Sequence, residues 1–167
     1  MKFLASLAVL TTAVMANPVT RDTNQFHLKT AGATNALHND LYVYAYHTGA
    51  GLNDAVLDKD DTNAAPFYLN GTSALATLGT EFPWGMSANG DTNYASWEPI
   101  EINAGEGSSG FSIDNGNFVW SEADGFGGWL VCDWSHNAPQ LFYLNRYYQP
   151  TIPSSCSTAQ LNAIYIN

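Results

Sequence analysis

The sequence predicts an all-β fold, an antiparallel sandwich or closed barrel, from three observations. Ten short β-favouring runs follow one another closely, separated by clusters of Gly, Asn, Asp and Pro. Asn115-Gly116 stands between Phe111-Ser112-Ile113-Asp114 and Asn117-Phe118-Val119-Trp120, two arms of alternating polarity, and supplies the positive φ angles of a type I′ hairpin turn. No run of helical period is long enough to compete, apart from one helical turn at Ser73 to Leu78.

The elements follow in order. Lys2 precedes an apolar run from Phe3 to Met15 that ends at Val14-Met15-Ala16, so residues 1–16 read as a secretory signal peptide with a small-residue cleavage site. The run is too short to cross a bilayer and no stop-transfer pattern follows it, so no membrane span is expected. Residues 17–23 are a polar, flexible arm, and residues 24–167 form a single domain able to bury roughly 70% of its unfolded surface.

Strands are expected at 25–29, 41–47, 55–57, 67–69, 94–102, 110–113, 118–120, 128–134, 140–144 and 161–166. A second hairpin runs from Trp129–Trp134 through Ser135-His136-Asn137-Ala138-Pro139 to Leu141–Leu144. Gly49-Ala50-Gly51-Leu52-Asn53-Asp54 reads as a glycine-rich turn between two strands. A phosphate loop would need a helix after it. Ala65–Asn70 is echoed by Ala138–Asn145, which keeps a β-trefoil as the alternative architecture, although the two copies lie too far apart for trefoil lobes and no third copy is found.

Charge narrows the partners. Beyond residue 16, Arg21, Lys29, Lys59 and Arg146 face 15 Asp and Glu, a formal charge of −11. Nucleic acid and anionic lipid are excluded as partners, because binding them needs clustered Lys and Arg. Neutral cell-wall glycans and extracellular proteins remain, and the charge itself keeps a secreted chain soluble and monomeric.

Cys132 and Cys156 are the only cysteines, and in an oxidising compartment an even pair reads as one disulfide. It closes a 25-residue loop that holds Pro139, Pro150 and Pro153. The entropy removed from the unfolded loop is worth about 3 kcal/mol.

Aromatic content points to sugar recognition, since flat rings pack on the apolar faces of pyranoses. On the strand Leu41–His47, alternation places Tyr42, Tyr44 and Tyr46 on one face as an exposed row, opposite Leu41, Val43, Ala45 and His47. On the strand 128–134, an inward Cys132 takes Leu130 and Trp134 with it and leaves Trp129 beside Asp133 as a surface platform. Trp84, in Phe82-Pro83-Trp84-Gly85, falls in a loop. Tyr42, Tyr44, Tyr46, Trp84, Trp129 and Asp133 are therefore the candidate ligand-binding residues. Asn70-Gly71-Thr72 is the only N-x-[ST] sequon and marks Asn70 as an exposed glycosylation site after a strand.

Catalytic readings find less. A glycosidase needs two carboxylates flanking one bond; Glu98 and Glu101, three apart, take opposite faces of a strand, which leaves Glu98 with Glu122 as the pair for an alternative, enzymatic reading. There is no G-x-S-x-G and no H-E-x-x-H. His27, His38, His47 and His136 stand singly, as surface or hydrogen-bonded structural residues and not as zinc ligands. The stretch from Asp58 opens like an EF-hand, but Asn63 and Leu69 replace its required Gly and Glu. No metal and no cofactor is expected.

The runs His47–Leu57, Tyr94–Ile100, Gly127–Trp134 and Pro153-Ser154-Ser155-Cys156 together resemble a widespread group of small secreted fungal proteins of unknown function. More distantly, the C-terminal half is similar to fungal cell-wall proteins linked to phialide formation, sometimes labelled IgE-binding. The resemblance implies fungal origin, secretion, one disulfide and a β fold, and it brings no catalytic residues. The expected function is that of a secreted, non-catalytic protein at the cell wall or outside the cell, binding carbohydrate or protein.

Overall fold

The computed structural model describes residues 24–88, 90, 96–149 and 151–166, without the side chain of Glu122. The expected signal peptide, the arm at 17–23 and Tyr94 lie outside the described residues. The strands are β1 (Phe26–Ala31), β2 (Tyr42–Gly49), β3 (Leu52–Asp58), β4 (Phe67–Asn70), β5 (Ser73–Ala76) and β6 (Trp84–Ala88). They continue with β7 (Trp97–Ala104), β8 (Ser112–Asp114), β9 (Asn117–Val119), β10 (Phe126–Asp133), β11 (Pro139–Asn145) and β12 (Cys156–Tyr165). Among the described residues the only helical pieces are short 3₁₀ turns, and none is long and apolar enough to cross a membrane.

Nine strands close into an antiparallel barrel in the order β1-β4-β5-β6-β7-β3-β11-β10-β12. The ring shuts where β12 meets β1 in an unbroken ladder from Phe26↔Tyr165 to Ala31↔Gln160. Closure removes the open edges of the nine-stranded ring itself and leaves β8, outside it, as an edge strand. Of the architectures the sequence allows, the structure is the closed barrel; the trefoil alternative falls because one continuous ring has no threefold repeat. β2 lies along β3 from Tyr42↔Asp58 to Gly49↔Leu52, and the β8–β9 hairpin joins β12 at Asn162↔Asn117.

Alternation explains which side chains fill the barrel. On β7, Glu98, Ile100 and Ile102 are buried while their neighbours are partly exposed. Inside, Phe111 stacks on Phe118 at 5.3 Å and Phe118 on Trp129 at 5.8 Å, and Trp120 meets Tyr143 edge-on at 5.1 Å. Buried indoles need an acceptor for their N–H. Trp129 Nε1 donates to the Phe118 carbonyl at 2.6 Å, and Trp120 Nε1 to the Ser109 carbonyl at 2.7 Å.

β10 is apolar on both faces, the mark of a strand covered on both sides. Its inner face enters the barrel core, and its outer Leu130 and Cys132 form a second cluster with Phe142 and Leu144 beneath Trp97 and Cys156. This reverses the expected facing. Trp129 is 3% exposed and cannot be a surface platform, whereas Trp134, expected inside, is 41% exposed. Cys132 faces outward into a small core of its own, so its burial did not mark the barrel interior.

Two further expectations are corrected. Trp84 is no loop residue but the first of β6, buried, with Nε1 donating to Thr80 Oγ1 at 2.7 Å. Ser73 to Leu78 forms no helical turn: Ser73–Ala76 is β5, because the turn after Asn70 sends the chain straight back along β4, with Ala74 and Ala76 facing the core. The Asn115-Gly116 turn appears as expected, with φ of 48° and 85° joining β8 to β9. The disulfide joins Cys132 and Cys156, directly opposed on β10 and β12.

Candidate functional site

The tyrosine row stands on the outer face of the β2–β3 hairpin. Period-two alternation sends Val43 into the core and puts Tyr42, Tyr44 and Tyr46 on the outer face, opposite Asp58, Val56 and Asp54 of β3. Only Tyr46 is exposed; Tyr42 and Tyr44 are half-buried against their neighbours, so the expected exposed row is reduced to its last member. Tyr44 and Tyr46 meet edge to face at 6.4 Å. Burial and the Asp58 carboxylate raise the Tyr44 hydroxyl pKa above its usual value. Tyr42 has Lys29 Nζ 5.2 Å from its ring centroid and His27 edge-on at 6.1 Å.

A groove of about 450 Å³ opens beside Tyr44. Leu41 and Leu57 contribute apolar surface to it, and Asp58, Lys59, Asp133 and Asn137 offer polar groups. The Asp58 carboxyl is held below the usual carboxylate range by hydrogen bonds from Asn63 and from the Asp60 backbone, so it presents an anion. Asp133 is 63% exposed in its side chain and reaches this groove, while Trp129, its expected companion, faces the core.

His38, buried, also lines the groove. Its Nε2 lies 3.3 Å from Asp133 Oδ1 and its Nδ1 2.7 Å from Ser157 Oγ. A carboxylate can only accept, so in the neutral ring Nε2–H donates to Asp133 and Nδ1 accepts from the Ser157 hydroxyl. Serine, histidine and aspartate together invite a hydrolase reading, but Ser157 is buried in β12 and does not line the groove. A substrate in the groove has no path to its hydroxyl. The relay instead ties the 3₁₀ turn at Ala36–His38 to the residues that follow the two half-cystines.

The loop between β10 and β11, whose Asn137 and Ala138 line the groove, builds a second contact at Tyr46. His136 and Asn137 both adopt left-handed φ, 64° and 54°. That conformation costs a non-glycine residue of order 1–3 kcal/mol and persists where surroundings enforce it. Here His136 stacks on Tyr46 at 4.1 Å, and its Nε2–H donates to Asp54 Oδ2 at 2.7 Å. Gln140 Nε2 donates to the same oxygen at 3.0 Å, and Ser135 donates to Gln140 Oε1 at 3.0 Å. Trp134, two residues from His136, packs edge-on against Trp97 at 5.3 Å.

The structure therefore brings together Tyr44, Tyr46 and Asp133 and leaves Trp84 and Trp129 in the core. His38, His136 and Trp134 were not anticipated as part of a site. The signal for His136 was its loop: Ser135-His136-Asn137 ahead of Pro139 is turn chemistry that aims a side chain. Glu98 lies inside the barrel at 0% exposure, opposite Tyr143, while Glu101 faces outward, held by Asn103 at 2.6 Å. Burial and the Glu98 carboxylate push the Tyr143 hydroxyl up to about 12. Among the described residues no three His, Cys, Asp or Glu side chains gather to hold a metal ion.

No match was found among curated proteins or among solved structures. The family model described as "Domain of unknown function (DUF7907)" matches residues 23–165, so the chain belongs to that family.

Proposed function

We propose that the chain is an exported, non-catalytic binding module that takes a neutral glycan on the outer face of β2–β3, at the fungal cell wall or outside the cell. The observation that carries this reading is the contiguity of Tyr44, Tyr46 and the stacked His136 with a polar groove. Ring faces and carboxylates side by side suit a sugar, which offers apolar C–H faces and hydroxyl donors together. The single disulfide, the apolar segment before Ala16 and the resemblance to secreted fungal proteins support export and the wall location.

A glycan array followed by pull-down on glucan, xylan and chitin tests the reading. Retention is expected, with affinity falling roughly tenfold or more in Tyr44→Ala and Tyr46→Ala, as for truncated aromatic anchors elsewhere. Absence of retention on every polysaccharide overturns it. Glu98, buried inside the barrel, cannot serve the expected carboxylate pair, so reproducible cleavage, lost in a folded Glu122→Gln variant, is what would replace the binding reading with a glycosidase reading. Capture of an extracellular protein through the same tyrosines, with no glycan bound, would make the ligand a protein.

A further inference from the structure

We propose that Asn70 carries an N-linked glycan whose first sugar is seated against Tyr68 in an adjoining cleft. This goes beyond the binding site above and shares with it only the route out of the cell. No residue lines both the cleft and the tyrosine groove.

Asn70 ends β4 and pairs with Ser73 across a tight turn. Asn70, Gly71 and Thr72 are all exposed, and no atom lies within 4 Å of where a side chain on Gly71 would begin. The acceptor amide and the hydroxyl two residues on thus stand clear at a hairpin tip. In the modification, Asn70 Nδ2 bonds to the anomeric carbon of a lipid-diphosphate-linked oligosaccharide. The carbon–oxygen bond to the diphosphate breaks, the diphosphate leaves with the electron pair, and the amide gives up one proton.

What singles out this sequon is its surroundings. Tyr68 lies two residues before Asn70, hence on the same side of β4. Both line a cleft of about 480 Å³, with buried Leu75, exposed Phe82 and the carboxylates of Glu81 and Glu106. A sugar joined to Asn70 has an aromatic face within reach for its apolar side and acceptors for its hydroxyls. Tethering supplies the effective concentration that a free monosaccharide would lack.

The test uses the full chain expressed in a secreting yeast. N-glycosidase digestion in heavy-oxygen water should convert Asn70 to labelled aspartate, and Asn70→Gln and Thr72→Ala should each abolish the label. Glycosylated protein should melt about 2–4 °C above its enzymatically deglycosylated form. That increment should vanish in Tyr68→Ala, or in Tyr68→Leu if the alanine variant does not fold. Unmodified Asn70 in chain recovered from medium or cells overturns the proposal. So does an increment that is absent, or that survives in the folded Tyr68 variant. Asn70 left bare in exported chain leaves the tyrosine-row reading intact, and loss of glycan binding leaves this one intact.

Discussion

His38 shows how much one side chain can join. Its ring links Asp133 on β10 with Ser157 on β12 and lines the groove beside Tyr44. Replacing it with alanine removes two hydrogen bonds, leaves the Ser157 hydroxyl buried without its acceptor and opens a void. His38→Ala should therefore cost about 2–4 kcal/mol in urea denaturation, whereas a loss under 1 kcal/mol would mean the ring is not held there. Tyr143 gives a pH signature. In the folded chain it keeps its proton to about pH 12, while unfolded tyrosine loses its proton near 10.0. Below pH 10 both states are protonated and stability is unaffected. Between 10 and 12 only the unfolded state ionises, so stability falls, in total by on the order of 2–3 kcal/mol. Tyr143→Phe should lack that decline, and an unchanged slope would show that the hydroxyl is not so placed.

At the scale of elements, the hairpins were legible in the sequence and the facing of one strand was not. Asn115-Gly116 announces its turn because few residues accept positive φ, and β2 announces its faces because Val43 and the tyrosines differ in kind. β10 offers no such contrast: Trp129, Leu130, Val131 and Cys132 are all apolar, and only the barrel decides that Trp129 turns inward. Trp84 and β5 were missed for a related reason. Short strands in a closed barrel owe their existence to neighbours on both sides, which local pattern cannot display. In the candidate site, the tyrosines come from local alternation, while His38 and His136 arrive from sequence positions 119 and 82 residues from their partners Ser157 and Asp54. The disulfide clamps β10 to β12 beside the His38 relay. Cys132→Ala with Cys156→Ala should lower stability by about 3 kcal/mol. Both half-cystines should resist alkylation until reductant is added, and free thiols in the native chain would contradict the clamp.

For the whole molecule, closure of the barrel makes the outer surface the place for function. The interior is filled by the Phe111, Phe118 and Trp129 stack and its neighbours, so a ligand of sugar size meets the protein outside. The acidic balance of the chain offers no cluster of Lys and Arg to a polyanion, and for the neutral glycan proposed above contact chemistry and not long-range attraction would set affinity. The decisive property is where on the surface such a ligand sits. Chemical-shift mapping by NMR with the best oligosaccharide from the array measures this directly. The predicted perturbations cluster at Tyr44, Tyr46, His136, Asp133 and Asn137 and saturate with one affinity. Perturbations confined to another face, or none at saturating oligosaccharide, would contradict it.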